Sequence, residues 1–452
     1  MAACAVMIVA MGGCRKTPWD EMKKALSRIE APTFAERNFP ITDYFNGSDT
    51  LYTAAIADAI KACNEAGGGH VIIPAGTWKT APVRLLSNVD LHFEDGATLL
   101  FTDDINLFDI VHTHWEGIDC YNVQPLIYAE NEENVAITGH GIIDGGAGIH
   151  NWYGPLTIGY VAEDGTVVNG RNILYKWCAD ETPLEERYLT REIPARPQSV
   201  NLMSCKNILL EDFTVHNSPF WIIHPVLCTN ITMRGLTMDS HMGNNDGCDP
   251  ESCTDMLIEG CTFDTGDDCI AIKSGRDADG RRIGVPSSNI IVRNCTMKDG
   301  HAGVAIGSEI SGGFHNLWVE DCVMDSPHLD RVIRIKSNPM RGGTVSNINA
   351  RNLTVHECNL AILGIELEYA RVSEGPFPLD FRDITLENIN SSKSRYAVHV
   401  AGSDDKIGLH NLTIRNCNID GVTEPELCHI VGAENIVFDN VTVNGQPYTF
   451  DK

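Results

Sequence analysis

The sequence has little positive charge and no long hydrophobic run. It contains 34 Lys and Arg residues against 61 Asp and Glu residues, so its formal net charge is −27. A chain this acidic repels phosphate backbones and anionic lipid headgroups, which excludes nucleic-acid or membrane-surface binding through general charge. No run after Cys14 approaches the ~18 apolar residues of a membrane-spanning helix. Any anionic substrate therefore needs a local cationic site.

Closely paired cysteines are also absent. The chain has 16 cysteines, but no tight pair spacing recurs, as a disulfide framework or a CxxC-type zinc site would require. We therefore expect no structural metal. With 43% apolar and 21% charged residues, the composition is that of a folded globular protein and not of a disordered one.

The first fourteen residues form a short apolar segment that ends in small residues and Cys14. This segment resembles the end of a bacterial lipoprotein signal, without the cationic stretch that normally opens one. A buried N-terminal segment is the alternative. We expect residues 1–14 to be a signal remnant with a possible lipid anchor at Cys14, and residues 15–35 to be a linker. The protein is then exported, to the periplasm or outer membrane of a bacterium.

A seven-residue pattern repeats along the rest of the chain. It reads Asn or Asp, apolar, any, apolar, polar, small polar, apolar, so its apolar positions alternate as in a strand. Most copies are one solenoid coil apart, and the long gap after the first copy would hold about three coils, one of them an insert near residues 151–195. The copies begin at Asn134, Asn207, Asn230, Asp255, Asn289, Asn316, Asn347, Asp383, Asn411 and Asn435.

This repeat predicts an all-β, single-domain, right-handed parallel β-helix over residues 36–452. The asparagines that open the copies are expected to stack at turns and to hydrogen-bond along the solenoid. The seventh position is apolar in the nine copies from Asn207 onward and is cysteine in four, so we expect one interior row in which a thiol acts as a small hydrophobe. The Ala-rich stretch 51–66 predicts an amphipathic helix that caps the open end.

The second strands of three consecutive coils align as residues 269–274, 303–308 and 332–337. By period-two alternation, Arg334 and Lys336 point outward on one face. Asp267 and His301 occupy equivalent places before their strands, so they should lie one coil apart, at ~4.8 Å. A longer turn in the preceding coil adds Asp246. The face therefore gathers Asp246, Asp267, Asp268, His301, Arg334 and Lys336.

Carboxylates this close cannot all ionise without cost, so one should have a raised pKa, as general acid and base catalysis requires. Between Lys273 and Arg341 there are ten Lys or Arg against eight Asp or Glu residues, a local excess of cations in an acidic protein. An enzyme that holds an anionic substrate beside catalytic acids fits this pattern. Taken singly, each residue is equally consistent with an acidic turn or a solvated strand face.

Four motifs resemble those of glycoside hydrolase family 28, the polygalacturonases, in order and spacing. They are Asn244-Asn245-Asp246, Gly266-Asp267-Asp268, Gly300-His301 and Arg334-Ile335-Lys336. The similarity runs from about Phe39 to Val443 and is greatest to bacterial exo-acting members. Two positions depart from the family pattern: Asn245, where Thr is frequent, and Ala302, where Gly is usual.

The resemblance implies an inverting hydrolase of α-1,4-galacturonosyl bonds in pectin, without a cofactor or metal. It assigns the general acid to Asp267, water activation to Asp246 and Asp268, and a supporting role to His301. It also implies that Arg334 and Lys336 bind the galacturonate carboxylate and that Asn244 lies in the substrate site. Tyr369 becomes a sugar-stacking or hydrogen-bonding residue, with core packing as the alternative.

Three other functions remain open from the sequence. One is hydrolysis of rhamnogalacturonan or another pectin backbone by the same machinery. The second is a pectate lyase, in which the aspartates would bind calcium. The third is a β-helix that only binds glycans, which the packed carboxylates disfavour. The partner expected in all cases is a pectic polysaccharide or oligogalacturonide, and the sequence indicates no oligomeric state.

Overall fold

Three columns of stacked strands run along the molecule. The computed structural model describes residues 17–47 and 50–450, and strands of successive coils pair in parallel within each column. We name the columns sheets A, B and C, because each coil passes through them in that order. The predicted right-handed parallel β-helix is confirmed.

Sheet A is the longest column and has 15 strands. Its strands are Asn38–Pro40, Gly69–Ile73, Val89–Phe93, Glu133–Gly139, Lys206–Glu211, Thr229–Arg234, Thr254–Glu259, Ser287–Arg293, Phe314–Glu320, Thr344–Arg351, Asp380–Glu387, Asn390–Ser391, Leu409–Ile419, Ala433–Val443 and Gln446–Pro447. Sheet B has seven: Gly76–Thr80, Ala97–Phe101, Ile142–Asp144, Thr214–His216, Thr237–Ser240, Thr262–Thr265 and Thr296–Asp299.

Sheet C carries the site. Its first strands are Val83–Arg84, Ile127–Glu130, Val200–Met203 and Ile223–Val226, and its later ones are Ile270–Ile272, Val304–Gly307, Arg331–Lys336, Ala361–Glu366, Tyr396–Ala401 and Cys428–Ile430. Bridges at Cys248 and Glu251 join the two halves. The predicted alignment is confirmed, since Ile270 pairs with Val304 and Val304 with Ile333.

Four α-helices accompany the sheets in the described residues: α1 (Pro18–Leu26), α2 (Thr53–Glu65), α3 (Gly170–Ala179) and α4 (Asp277–Ile283). Helix α2 is the predicted cap, and its apolar face packs against the first coil. Short 3₁₀ turns lie at Ile41–Tyr44, Ile105–Leu107, Leu184–Glu186 and Tyr369–Arg371. None of the helices in the described chain is long and apolar enough to cross a membrane.

Helix α1 lies within the segment expected to be a linker. Thr17 and Pro18 begin it with a capping box, and Trp19, Met22 and Ala25 form its buried face. That face packs on the outer side of sheet A, against apolar residues such as Trp318. The linker prediction missed this helix because its partner side chains come from distant coils. Residues 1–16, including the predicted signal and Cys14, lie outside the described residues.

The long gap between the first two repeats holds one coil, and not about three as predicted. The extra chain leaves the coil between Ile142–Asp144 of sheet B and Val200–Met203 of sheet C. It contains the antiparallel pair Tyr160–Val161 and Val167–Val168, followed by α3. A second excursion, the hairpin Ile110–Trp115 with Ile118–Val123, was not predicted.

Every residue that opens a repeat adopts a left-handed backbone, with φ between 54° and 68°. Asparagine and aspartate tolerate this conformation better than other residues with a side chain. The amides bond along the solenoid as predicted: Asn207 Nδ2 donates to Asn134 Oδ1 at 3.0 Å, and Asn230 Nδ2 to Asn207 Oδ1 at 2.8 Å. Aspartate has no amide donor, so the ladder is interrupted at Asp255 and Asp383.

The segment after α1 covers the first interruption. Arg28 donates to both carboxylate oxygens of Asp255, at 3.1 and 2.7 Å. Glu30 exchanges two backbone hydrogen bonds with the side chain of Asn230, at 2.9 and 2.8 Å. A segment outside the repeats thus supplies the donors that the ladder lacks there.

The predicted interior row is buried throughout. It consists of Phe213, Leu236, Cys261, Cys295, Cys322, Leu353, Ile389, Cys417 and Val441. All fourteen cysteines of the described residues are buried and free of disulfides, in agreement with the expectation that the four row cysteines act as small hydrophobes.

Candidate active site

A cavity of about 670 Å³ opens on the outer face of sheet C. Seven of the eight residues predicted for the site line it: Asn244, Asp246, Asp267, His301, Arg334, Lys336 and Tyr369. The eighth, Asp268, is fully buried beneath them and accepts a hydrogen bond from Lys336 Nζ at 2.6 Å. The structure therefore brings all eight together.

Asn245 holds the turn that carries Asp246. Its side-chain oxygen accepts hydrogen bonds from Ser240 Oγ and Met242 N, at 2.8 and 2.9 Å. Its amide donates to Tyr153 Oη at 2.6 Å and to two backbone carbonyls at 3.0 Å. A threonine hydroxyl cannot make this set of bonds, because it has one donor and no second polar atom. The departure at this position therefore fixes the turn to the insert, which supplies Tyr153.

Asp267 and His301 form the predicted pair between adjacent coils. His301 Nδ1 lies 2.8 Å from Asp267 Oδ1, and the backbone N–H of Asp268 donates to the same oxygen at 2.9 Å. The His301 side chain is about half exposed, at 52%, whereas that of Asp267 is 17% exposed. Asp267 thus borders the cavity with one carboxylate oxygen, Oδ1, held by two hydrogen bonds.

The predicted raised pKa belongs to Asp246. Burial, reinforced by the nearby carboxylates of Asp267 and Asp249, raises the pKa of Asp246 well above its usual range. Burial also acts to raise the pKa of Asp267, but the His301 hydrogen bond and the Lys336 charge outweigh it and hold that pKa below its usual range. The same hydrogen bond raises the pKa of His301. The surroundings therefore favour the protonated form of Asp246 and the ionised form of Asp267.

Arg334 and Lys336 point outward beside the carboxylates, as the alternation predicts. Arg334 donates from Nε and Nη2 to one oxygen of Glu366, at 3.1 and 2.7 Å, and its Nη1 lies 3.7 Å from Asp268. The ring centroid of Tyr369 is 5.9 Å from the Arg334 guanidinium carbon and 5.5 Å from Lys336 Nζ. Tyr369 therefore lines the cavity beside both cations, and the core-packing alternative is wrong.

Sequence reasoning missed a buried ion cluster at the other end of the cavity. Lys273 Nζ lies 3.2 Å from Glu309 and 3.7 Å from Asp249, and its side chain is only 3% exposed. Burial opposes the charge of Lys273, but Glu309 and Asp249 outweigh it and raise the Lys273 pKa. The signal was available, since Lys273 follows Ile272 as Lys336 follows Ile335, and these isoleucines occupy equivalent places in sheet C.

The two excursions close this end of the cavity. Helix α3 contributes Arg171 and Tyr175, and the hairpin Ile110–Trp115 with Ile118–Val123 contributes Glu116 at its tip. Tyr175 Oη donates to Glu116, and Arg171 Nη2 lies 3.2 Å from the same carboxylate. No repeat pattern covers these segments, so no sequence signal placed them here.

A buried pair fastens the hairpin to the solenoid. His114 Nδ1, on the hairpin, lies 2.7 Å from Glu251 Oε1, and His224 Nε2 lies 3.0 Å from Glu251 Oε2. Burial opposes the charge of His114, but Glu251 outweighs it and raises the His114 pKa to about 9. Burial likewise opposes ionisation of Glu251, but His114 outweighs it and lowers the Glu251 pKa to about 2.

A known protein family matches most of the chain. The sequence model of glycosyl hydrolases family 28 matches residues 113–437, a stretch that includes every predicted site residue. The chain belongs to glycosyl hydrolase family 28. It is therefore a glycoside hydrolase.

Relatives within the family cover most of the chain. A probable polygalacturonase of Vitis vinifera is 30% identical over 86% of this chain and 76% of its own length. An exo-poly-alpha-D-galacturonosidase of Dickeya chrysanthemi is 26% identical over 91% of this chain and 72% of its own. The crystal structure of a hyperthermoactive exopolygalacturonase from Thermotoga maritima superposes with a TM-score of 0.88, at 34% identity, over 96% of this chain and 97% of that one.

Three groups of side chains in residues 17–47 and 50–450 have the spacing of a metal site. In the first group, Asp267, Asp268 and His301, the carboxylate of Asp268 is already paired with Lys336 Nζ at 2.6 Å. His112, His114 and Asp119 are paired with one another and with further carboxylates and Arg282. His241, Asp264 and Asp299 form a more exposed group beside the turn of Asp246.

Proposed function

We propose that this glycosyl hydrolase cleaves the α-1,4 bonds of galacturonan from a chain end, with inversion of the anomeric configuration. The observation that carries the proposal is that Lys336 and Arg334 lie beside Asp267 in one cavity, with Asp268 buried beneath them. A cation pair of this kind matches the carboxylate that every galacturonate residue carries. The names of the Vitis, Dickeya and Thermotoga relatives support the same substrate class.

Asp267 is the proposed general acid. In the free site His301 and Lys336 both stabilise the carboxylate and hold its pKa below the usual range. A substrate carboxylate that pairs with Lys336 removes part of this stabilisation, and the sugar excludes water, so the pKa of Asp267 rises on binding. Asp246 and His301, whose pKa values are both raised, are the proposed sources of the proton for Asp267. Substrate binding therefore favours the protonated form of Asp267, which the general acid requires.

Asp246 and Asp268 are the proposed water-activating pair. Asp246 borders the cavity and is buried, with one oxygen that has no hydrogen-bond partner. In its ionised form Asp246 is the proposed base, and Asp268, which accepts a hydrogen bond from Lys336, is its partner. An acid and a base with room for a water between them produce inversion. Proton NMR of the first product, before mutarotation, checks this, and a retained anomer contradicts it.

Exo action is proposed from the closed end of the cavity. Helix α3 and the hairpin tip at Glu116 line the cavity, and we infer that they stop a long chain from continuing past this end. Polygalacturonate should therefore keep most of its viscosity while reducing ends accumulate. A rapid fall in viscosity contradicts the exo assignment alone, whereas an unsaturated product absorbing in the ultraviolet contradicts the hydrolase itself. Sugar analysis of digests of galacturonan and rhamnogalacturonan compares the two pectin backbones.

Export is proposed from the first fourteen residues. Their apolar and small side chains before Cys14 resemble the end of a lipoprotein signal, and pectin is an extracellular polymer. In a bacterial host, the Cys14→Ser variant should lose the increase in mass and the detergent partitioning that a lipid chain confers. Equal partitioning of both proteins contradicts lipidation.

A further inference from the structure

Arg196, near the end of the excursion between Ile142–Asp144 and Val200–Met203, forms no ion pair within the described residues 17–47 and 50–450. Its side chain is half-buried, and its hydrogen bonds in these residues go to uncharged oxygens. Burying a cation away from an anion costs free energy, and burial lowers the pKa of Arg196. This cost indicates that the hydrogen bonds of Arg196 do something other than pair charges.

Arg196 fastens the turn that carries Asp246. Its Nη1 donates to Gly243 O at 2.8 Å and to Pro219 O at 3.1 Å. Its Nη2 donates to Asn244 Oδ1 at 2.7 Å. A planar guanidinium suits this role, because its N–H groups leave it in fixed directions. Two nitrogens of one rigid group therefore hold Gly243 and Asn244, two successive residues of the turn.

Two aromatic rings hold the guanidinium of Arg196 in place. Its carbon lies 4.6 Å from the ring centroid of Tyr153 and 4.9 Å from that of Phe220, within the range of a cation–π contact. The hairpin adds a third contact, since Trp115 Nε1 donates to the backbone oxygen of Arg196 at 2.9 Å. Arg196 is therefore fixed before any ligand binds, which lowers the entropy cost of binding.

The contact with Arg196 decides how the side-chain amide of Asn244 is oriented. Arginine donates hydrogen bonds and accepts none, so the amide atom of Asn244 that faces it is the oxygen. Within the described parts of the chain this is the only hydrogen bond that the Asn244 side chain makes, and Asn244 lines the cavity. Asn244 Nδ2 therefore keeps two N–H donors for a bound group.

We propose that Arg196 is a positioning residue, which fixes Asn244 as a hydrogen-bond donor to an oxygen of the bound sugar. An unrestrained amide can rotate and present either its oxygen or its nitrogen to the cavity. The ring and glycosidic oxygens of a sugar accept hydrogen bonds and do not donate them, so only the nitrogen of the amide can bind them. The excursion that closes one end of the cavity thereby also orients a group inside it. This inference rests on the proposed function, since it concerns a sugar bound in the same cavity.

A double-mutant cycle on the hydrolysis of trigalacturonate tests the positioning role. Asn244→Gly removes the donor and suits the turn, because Asn244 has φ of 60°, where glycine is unstrained. Arg196→Met removes the guanidinium and keeps an apolar side chain against the two rings. Each variant alone should lower kcat/KM ~10-fold or more. With Asn244→Gly already present, Arg196→Met should cost ~2-fold or less, because its effect passes through Asn244.

Equal losses from Arg196→Met with and without Asn244 would show that Arg196 only supports the fold, and would overturn the proposal. Arg281→Met is the matched control, because Arg281 makes contacts of the same kind elsewhere. Its guanidinium carbon lies 3.6 Å from the ring centroid of Phe377, and its Nη1 donates to Arg341 O at 3.1 Å. Any loss that Arg281→Met causes should not depend on Asn244. If Arg196→Met fails to fold, Arg196→Lys replaces it in the cycle, since it keeps the charge but has a single nitrogen, and the same dependence on Asn244 is expected.

Calorimetry separates this proposal from the proposed function. Digalacturonate binding to the Asp267→Asn protein needs no turnover, and Arg196→Met in that background should weaken it ~10-fold or more when Asn244 is present. With Asn244→Gly the further loss of affinity should be ~2-fold or less. If the wild type fails to hydrolyse galacturonan and this difference persists, the function fails and the positioning role stands. Equal weakening with and without Asn244 refutes the positioning role whatever the activity, and a protein that binds no digalacturonate overturns both.

Discussion

His301 Nδ1 lies 2.8 Å from Asp267 Oδ1, across two neighbouring coils of the solenoid. An equivalent contact occurs elsewhere, where His356 Nδ1 lies 2.8 Å from Asp325 Oδ2, again one coil apart. The Asp267 pair borders the cavity, with cations and two further carboxylates around it. A histidine–aspartate pair of this kind is a surface contact at Asp325 and includes the proposed general acid at Asp267. The charged groups around Asp267 make the difference between the two.

Asp267→Asn tests the acid. The amide keeps the shape of the side chain but cannot donate the proton to the leaving group, so turnover should fall at least ~10²-fold. Asp325→Asn is the matched control, since it alters the equivalent pair outside the cavity, and it should leave turnover unchanged. Reducing-sugar assays and circular dichroism measure activity and folding. A well-folded Asp267→Asn enzyme with near wild-type turnover would end the assignment.

Lys336→Met tests the carboxylate clamp. The methionine keeps the length of the side chain and removes the charge, so galacturonate oligomers should bind much more weakly, by ~10-fold or more. Fully methyl-esterified oligomers have no charge to pair and should lose far less. Inhibition constants of both oligomer types give the comparison. Parallel losses for acid and ester would contradict the clamp.

The hairpin anchor predicts a pH dependence of stability. The lowered pKa of Glu251 stabilises the fold above its ordinary value of 4.5, and this contribution is lost as pH falls through about 2. The raised pKa of His114 stabilises it below the ordinary value of 6.5, and this is lost as pH rises through about 9. Both contributions are complete only between about pH 4.5 and 6.5.

Glu251→Gln should therefore destabilise most in that window, by ~3–5 kcal/mol for one partner of a buried pair, and less toward pH 9. Urea unfolding from pH 5 to 9 measures the difference. Glu357→Gln, which breaks an exposed pair with Lys393, should cost under ~1 kcal/mol at every pH. A destabilisation by Glu251→Gln that does not change with pH would contradict the ion pair.

The interior row predicts free thiols. Cys261, Cys295, Cys322 and Cys417 occupy equivalent inward positions in different coils, and parallel side chains of this kind seldom reach disulfide geometry. Alkylation of the unfolded, unreduced protein should label all four, as mass spectrometry can count. A disulfide between any two of them would show that the row is assigned wrongly.

The repeat explains what the sequence could predict. Alternation along each strand and equivalence between coils are enough to place Arg334 and Lys336 outward and to bring Asp267 to His301. The same two rules also place Lys273 outward, but its burial depends on Glu309 and Asp249, which the alternation does not bring to it. Arg171, Tyr175 and Glu116 were beyond reach, since they lie on excursions that follow no repeat and dock through contacts formed only in the folded chain.

The N-terminal helix shows a second kind of limit. Trp19 and Met22 have the spacing of a buried helix face, but their partners are outward residues of sheet A such as Trp318. The alternation of apolar residues shows which side of a strand faces the interior of the solenoid. It does not show that helix α1 covers the outer side of sheet A. The prediction of about three coils between Asn134 and Asn207 was wrong for a similar reason. The length of a segment does not show whether it forms coils or leaves the solenoid as an insert.

The interrupted asparagine ladder has a consequence for how the solenoid comes apart. Asp255 and Asp383 divide it into three runs, and the middle run, from Asp255 to Asn347, contains most of the coils that build the cavity. Local unfolding that starts at either end of the solenoid reaches an interruption of the ladder, at Asp255 or Asp383, before it reaches these coils. Arg28 and Glu30 bridge the first interruption, because they bond to Asp255 and Asn230 on its two sides. Removal of residues 17–30 should therefore speed amide hydrogen exchange in the coils before Asp255 and leave exchange in the coils from Asp255 to Asn347 unchanged.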